Sequence, residues 1–285
     1  MRFIYVNGKY VRPQEAMVSV NDRGYQFGDG IYDVVALKDN RWVNPDEHLE
    51  RFQSALKTMQ IHFPYPLQFL KTIAQELWRR EQSSQGLLYT QITRGVANRV
   101  HTFPKTPIQP SLVMYLKSQP VIVPNQMMKV VTLDDWRSGL CFIKSTALLP
   151  NIMAKQKAYE QGADEVLFVK DGLVREGSTA NFFAVKQGAL YTAPDDGTIV
   201  AGVSRRIVMN IARDLKIPCH EAAISVEDIF TADELFFTHT SNGIRGISQV
   251  NGTEIHGGSM GPLTKKLFDR YLALALSQPL VQGGV

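Results

Sequence analysis

The chain has 285 residues, 44% of them hydrophobic and 20% charged, with a formal net charge of +4. That length leaves room for two domains, each with its own core. The cations are spread along the chain instead of forming the basic block of a nucleic-acid arm, so the excess suits an anionic small molecule and no nucleic-acid partner is expected.

The opening residues read as a strand, a turn at Asn7-Gly8-Lys9, and a second strand through Tyr10 and Val11. The N-terminus lacks a signal-peptide stretch and no window reaches the apolar length of a membrane span, so a cytoplasmic protein without a membrane partner is expected. The three glycines of Arg23-Gly24-Tyr25-Gln26-Phe27-Gly28-Asp29-Gly30 predict a tightly bent backbone, followed by a strand over residues 31–37. Residues 45–60 predict a helix: Pro45 suits its first turn, Asp46 and Glu47 suit its N-terminal end, and Leu49, Phe52, Leu56 and Met59 form an apolar stripe. A second helix is expected over residues 66–82, with strands over 87–93 and 111–116. Ser118-Gln119-Pro120-Val121-Ile122-Val123-Pro124 is a linker, because its prolines exclude helix.

The second half predicts strands over residues 128–133, 165–169, 181–185, 189–192 and 234–237, and helices over 151–162, 203–215 and 262–275. Cys141 and Cys219 stand in unrelated contexts, which makes neither a disulfide framework nor a metal cluster.

Several residues are candidates for chemistry. Lys144 lies among apolar neighbours in Cys141-Phe142-Ile143-Lys144-Ser145-Thr146, at the expected end of a strand. With its amine free it can form a Schiff base with an aldehyde; otherwise it is an edge-strand lysine in solvent. Arg51 flanks the stripe of the first long helix and can fork onto a phosphate, or pair with Glu47 or Glu50 on the helix surface. Glu176 stands in Val174-Arg175-Glu176-Gly177-Ser178-Thr179-Ala180-Asn181, read as a turn, where a carboxylate can hold a protonated ring nitrogen. Val203 and Ser204 open a helix, whose free N–H groups and hydroxyl suit a phosphate or simply an N-terminal cap. Thr240 lies in the polar turn Thr238-His239-Thr240-Ser241-Asn242-Gly243. Arg99 and His101, two apart, share one face if extended and can grip a carboxylate. Gly24 to Gly30 does not fit GxGxxG, so no Rossmann unit is indicated.

Taken in order, Asp22-Arg23-Gly24-Tyr25-Gln26-Phe27-Gly28-Asp29-Gly30-Ile31-Tyr32, Glu47-His48-Leu49-Glu50-Arg51, Thr93-Arg94-Gly95 with Arg99-Val100-His101, Ile143-Lys144-Ser145, Glu176-Gly177-Ser178-Thr179-Ala180-Asn181 and Gly202-Val203-Ser204-Arg205 closely resemble the D-amino acid transaminases. These are fold type IV enzymes of pyridoxal 5'-phosphate (PLP), together with the branched-chain aminotransferases and aminodeoxychorismate lyases. The resemblance implies an α+β chain with a smaller N-terminal domain over 1–118, a linker over 119–124 and a larger domain over 125–285, with the cofactor between the two. It implies Lys144 as the Schiff-base lysine and Glu176 at the ring nitrogen. Arg51, Val203, Ser204 and Thr240 would take the phosphate. Tyr32 would sit at the reacting centre, and Arg99 and His101 would trap the substrate carboxylate across a homodimer interface. The implied reaction moves the amino group of a D-amino acid to a 2-oxo acid such as 2-oxoglutarate. The alternative is a lyase or a branched-chain L-amino acid aminotransferase of the same fold. His239 and the stretch Asn242-Gly243-Ile244-Arg245-Gly246 depart from the D-amino acid branch, in a segment that borders the implied substrate pocket.

Overall fold

A computed structural model describes residues 1–281 of the chain, which divides into two compact units. The first comprises Met1–Val121, Ile143–Leu148 and the described C-terminal residues from Ala275; the second comprises Ile122–Phe142 and Leu149–Leu274. The break at Val121 falls inside the expected linker. Residues 143–148 and the C-terminal residues differ from expectation, because they group with the first unit.

The first unit is built on an antiparallel sheet of β1 (Ile4–Val6), β2 (Lys9–Val11), β3 (Gly30–Lys38), β4 (Arg41–Trp42), β5 (Gly86–Thr93) and β6 (Ser111–Ser118), in the order β2-β1-β6-β5-β3-β4. Two helices pack on it, α2 (Pro45–Thr58) and α3 (Gln68–Glu81). Their stripes supply Phe52 and Leu56, then Leu70, Ile73 and Leu77, to a core shared with Ile31, Leu37, Ile92, Met114 and Leu116. Pro45 occupies the first turn of α2, with Asp46 and Glu47 near its positive end.

Short β4 leaves the Gly30 end of β3 with an open edge. The segment carrying Lys144 fills it: Ser145 bridges Ile31, Tyr32 N–H donates to the Lys144 carbonyl, and Thr146 N–H donates to the Gly30 carbonyl. Leu280 bridges Arg41 in the same way. These backbone bonds are why both segments join the first unit. Lys144 is consequently in irregular chain held by one bridge, not at the end of a strand.

The glycine-rich stretch contains a short helix that the bend reading missed, α1 (Arg23–Phe27). Asp22 caps it by accepting from Gly24 N–H at 2.8 Å, and Gly28 ends it in the left-handed region at φ 67°.

The second unit holds β7 (Met127–Asp134), β8 (Glu165–Lys170), β9 (Leu173–Gly177), β10 (Asn181–Lys186), β11 (Ala189–Thr192), β12 (Cys219–Glu221), β13 (Glu234–His239), β14 (Gly243–Val250) and β15 (Thr253–Glu254). The order is β12-β11-β10-β13-β14-β7-β8-β9, with β15 on β14. The pairing of Glu176 with Asn181 joins β9 back to β10, so that β10, β13, β14, β7, β8 and β9 close a ring. Its helices are α4 (Leu149–Glu160), α5 (Val203–Asp214), α6 (Val226–Ile229) and α7 (Pro262–Ser277), the last ending in the first unit. Phe182, Phe237, Leu167, Val130 and Ile247 form part of the core. Strands β9 and β14 were not expected from sequence. In β14 the missing side chains of Gly243 and Gly246 make room for Tyr271 and Met127; Gly246 records close packing alone, while Gly243, at φ 65°, also follows the turn after β13.

Candidate active site

In the first unit, β3 carries Tyr32 and Asp33 on successive residues, so their side chains leave the sheet on opposite sides. The Tyr32 ring begins a stack with Tyr89 at 5.6 Å, which continues to Tyr115 at 5.0 Å. Lys144, half-buried, places its Nζ 3.5 Å from the Tyr32 hydroxyl and 4.5 Å from the ring centroid. Among the described residues no carboxylate pairs with this amine, so Lys144 is held by a phenol and an aromatic face and stays available to another group.

Asp33 points to Arg51, one helix away. Arg51 donates to its carboxylate through Nε at 2.9 Å and Nη2 at 2.7 Å, and His48 Nδ1 lies 2.8 Å from the same group. Burial disfavours the Asp33 charge, but Arg51 and then His48 outweigh it and hold the carboxyl well below its usual range. Burial lowers the His48 imidazole despite Asp33, so His48 is neutral. An ionised carboxylate only accepts, and Nδ1 is therefore the protonated nitrogen and donates to Asp33. Arg51 accordingly does not pair with Glu47 or Glu50, the surface partners considered from sequence. Its Nη1 has no hydrogen-bond partner among the described residues.

Arg99 and His101 are exposed in the irregular chain after β5, and the structure brings them together on Phe27. The Arg99 guanidinium lies 5.1 Å from the Phe27 ring centroid, and the His101 ring 5.6 Å from it.

In the second unit, Glu176 is buried near the end of β9, not in an exposed turn. Its carboxylate accepts from Arg137 Nη1 at 2.5 Å, from Asn181 Nδ2 at 3.0 Å and from Val200 N–H at 3.2 Å. Burial works against the Arg137 charge, but Asp135 and Glu176 overcome it and raise its pKa, so both ions persist. Val203 and Ser204 start α5, where Gly202 provides no side-chain cap and no acidic residue stands in the first turn. Ser204 Oγ lies 2.9 Å from the Tyr271 hydroxyl, whose pKa burial pushes up to about 12. Thr240 is half-buried in the turn after β13, and Thr238 Oγ1 on that strand is buried without a partner among the described residues.

Asp33, His48, Arg137 and Asn181 were not singled out from sequence. Asp33 left one trace, a charge inside the otherwise apolar run of residues 31–37. Arg137 left none, since its partners Asp135 and Glu176 are set by folding.

The fold is that of the fold type IV PLP enzymes. Residues 30–250 match the model of the amino-transferase class IV family, and the chain belongs to that family of PLP-dependent aminotransferases. The D-alanine aminotransferase of Staphylococcus aureus (strain N315) is 36% identical over 277 residues, 95% of this chain and 98% of the relative. The branched-chain amino acid aminotransferase of Escherichia coli superposes with a TM-score of 0.88 at 20% identity, covering 95% of this chain and 94% of that one. The T.th. branched-chain amino acid aminotransferase, solved with pyridoxamine 5'-phosphate, gives 0.87 at 22% identity, covering 97% and 95%. At those identities the two structures establish the fold alone.

The residues present fit PLP. Lys144 offers an amine free of carboxylate. Arg51 has an unused guanidinium edge, and α5 begins with uncapped N–H groups, both suited to phosphate. Glu176 is a buried carboxylate kept ionised by a cation, as a protonated ring nitrogen requires.

Proposed function

We propose that this chain transfers the amino group of a D-amino acid to a 2-oxo acid, for example from D-alanine to 2-oxoglutarate. Lys144 is the covalent anchor of PLP and then the acid–base group. Arg51, Val203, Ser204 and Thr240 hold the phosphate, and Glu176 faces the ring nitrogen. Tyr32, Arg99 and His101 bind the substrate carboxylate. We further infer a cytoplasmic homodimer in which Arg99 and His101 serve the neighbouring subunit. The exposed Val20, Tyr25, Val96, Val100 and Phe103 of the first unit support an interface there.

When bound, PLP supplies the aldehyde carbon that receives the amino group and a ring that draws electrons from it. Each remaining task falls to a side chain. Lys144 Nζ, once displaced, takes the proton from the substrate α-carbon and later delivers it; a single amine thus serves both directions of transfer. The Tyr32 hydroxyl, 3.5 Å from Nζ, restrains the amine where its proton is exchanged. Arg137, Asn181 and Val200 fix the Glu176 carboxylate in its ionised form. Asp33 and His48 orient Arg51.

The observation that carries the D-amino acid reading is the Arg99–His101 pair, gathered on one ring, together with the likeness to D-alanine aminotransferases along nearly the whole chain. Borohydride reduction of the holoenzyme, followed by peptide mapping, is expected to label Lys144; a label on another lysine overturns the site. A screen of D- and L-amino acids against 2-oxoglutarate is expected to give turnover with D-donors. Activity confined to L-valine, L-leucine and L-isoleucine overturns the D-assignment and leaves PLP in place.

A further inference from the structure

Arg99 and His101 lie on exposed chain that follows the end of β5. Such a segment loses several residues' worth of backbone entropy if its side chains are to meet a ligand in one geometry. Something buried must fix it, and a charge cluster stands beneath it. Asp29, 8% exposed, accepts from Arg23 Nε at 2.7 Å and from Arg94 through Nε at 2.8 Å and Nη2 at 3.0 Å. Two guanidiniums share one carboxylate, so the cluster carries spare donors, and these go to backbone carbonyls. Arg94 donates to the Met59 and Gln60 carbonyls at 2.7 and 2.9 Å, which ties it to the end of α2. Arg23 Nη1 donates to the Val100 carbonyl at 2.7 Å.

That carbonyl belongs to the residue between Arg99 and His101. Arg23 therefore clamps the backbone at the midpoint of the pair. The same guanidinium lies 4.9 Å from the Phe27 ring centroid, the ring on which both members of the pair rest. Arg94 secures the far side of the segment, with its guanidinium 3.6 Å from the Phe103 centroid. Backbone bonds close the frame, from Arg23 N–H to the Gly95 carbonyl at 2.9 Å and from Arg94 N–H to the Asp29 carbonyl at 3.0 Å. A buried ionic cluster is a costly way to pack a loop. Its benefit is directional, since a guanidinium fork fixes the carbonyl it reaches where an apolar contact would let it slide.

We propose that Arg23, locked by Asp29 and seated on Phe27, is a positioning residue for carboxylate recognition by Arg99 and His101. The inference rests on the reading of that pair as the carboxylate-binding element. Arg23 touches no reacting atom; it sets where the pair can stand.

Arg23→Lys keeps a cation beside Asp29 but cannot reach Asp29 and Val100 together. Phe27→Leu removes the shared ring and leaves the buried cluster intact, so it decides the matter if the first variant does not fold. Both are made in the PLP-loaded enzyme beside Arg99→Ala, and each is assayed for kcat and KM with both substrates, for inhibition by propionate, and for the visible band of the cofactor. We expect KM for amino donor and 2-oxo acceptor, and the propionate inhibition constant, to rise about tenfold, with kcat and the band preserved. In a background that lacks both side chains, Arg99→Ala with His101→Ala, Arg23→Lys adds no further loss. If Arg99→Ala raises KM and neither positioning variant does, the clamp is overturned while the reading of the pair stands. If Arg99→Ala leaves KM and propionate inhibition unchanged, the reading of the pair fails, and this inference with it. A fall in kcat with loss of the band in Phe27→Leu marks a general defect and also overturns the clamp.

Discussion

Asp33→Asn removes one charge from the interior of the first unit and almost no volume. Asp33 is 4% exposed and accepts three side-chain bonds, from His48 Nδ1 at 2.8 Å and from Arg51 Nε and Nη2 at 2.9 and 2.7 Å, besides one from Val34 N–H at 2.7 Å. Deleting one partner of a buried ion pair costs about 3–5 kcal/mol, because the other charge is left uncompensated. Two features hold the loss to the low end. The amide oxygen of asparagine still accepts one of the three bonds, and the Arg51 side chain is 15% exposed, so water screens part of the charge. About 3 kcal/mol is expected. Urea unfolding at pH 8 keeps His48 neutral in the folded and unfolded chain alike, which isolates the carboxylate. Glu47→Gln is the control: among the described residues Glu47 receives only a 3.4 Å contact from Asn44, and its loss costs under about 0.5 kcal/mol. Since Asp33 also aims Arg51, the Asn variant is expected to bind PLP more weakly in equilibrium dialysis, and Glu47→Gln is not. A loss in Asp33→Asn below about 1 kcal/mol, or equal effects of the two substitutions, refutes the account.

Other substitutions test other parts of the structure. Burial pushes the His239 pKa down to about 4, with Glu165 opposing and Arg245 and Lys155 adding to the shift. A group whose folded pKa is depressed contributes its full stability above its unfolded value, about 6.5, and loses it as the pH falls towards the folded one. His239→Gln is expected to flatten the stability profile between those limits, by an amount on the order of 3 kcal/mol at the acid end; an unchanged slope counts against it. Gly28→Ala places a side chain at φ 67° with its Cβ 3.1 Å from Ala147 Cα, next to the Thr146 contacts that seat the Lys144 segment. A stability loss of about 1–3 kcal/mol and a shifted cofactor absorption band are expected, and a neutral variant would show that the segment does not depend on this turn. Ser204→Ala removes the 2.9 Å partner of the buried Tyr271 hydroxyl and is expected to cost about 1–2 kcal/mol in a thermal melt, which the double variant with Tyr271→Phe should largely recover.

Much of this protein was legible from the sequence because the signals were local. The stripe of Leu49, Phe52, Leu56 and Met59 and the terminal Pro45 defined α2, since helical spacing and capping involve residues within a few turns. Residues 119–124 form no helix, as their two prolines dictate whatever surrounds them. Ordered motifs around Lys144, Glu176 and Arg99-x-His101 carried the family resemblance, since short motifs in a fixed order are read directly from the chain.

Tertiary structure decided what lies far apart in sequence. Lys144 belongs to the first unit because its backbone completes the edge of β3, a bond pattern between residues more than a hundred positions apart. The partner of Arg51 is Asp33 on a strand, not a glutamate on its own helix, because packing α2 against the sheet offers a buried carboxylate with two oxygens in line with the guanidinium. The reason for Gly246 in β14 emerges only from the fold, in which Met127 fills the space a side chain would take. Which residues are chemically capable is written in the order of side chains; which charges meet, and which are buried, depends on long-range backbone pairing and close packing that no local pattern encodes.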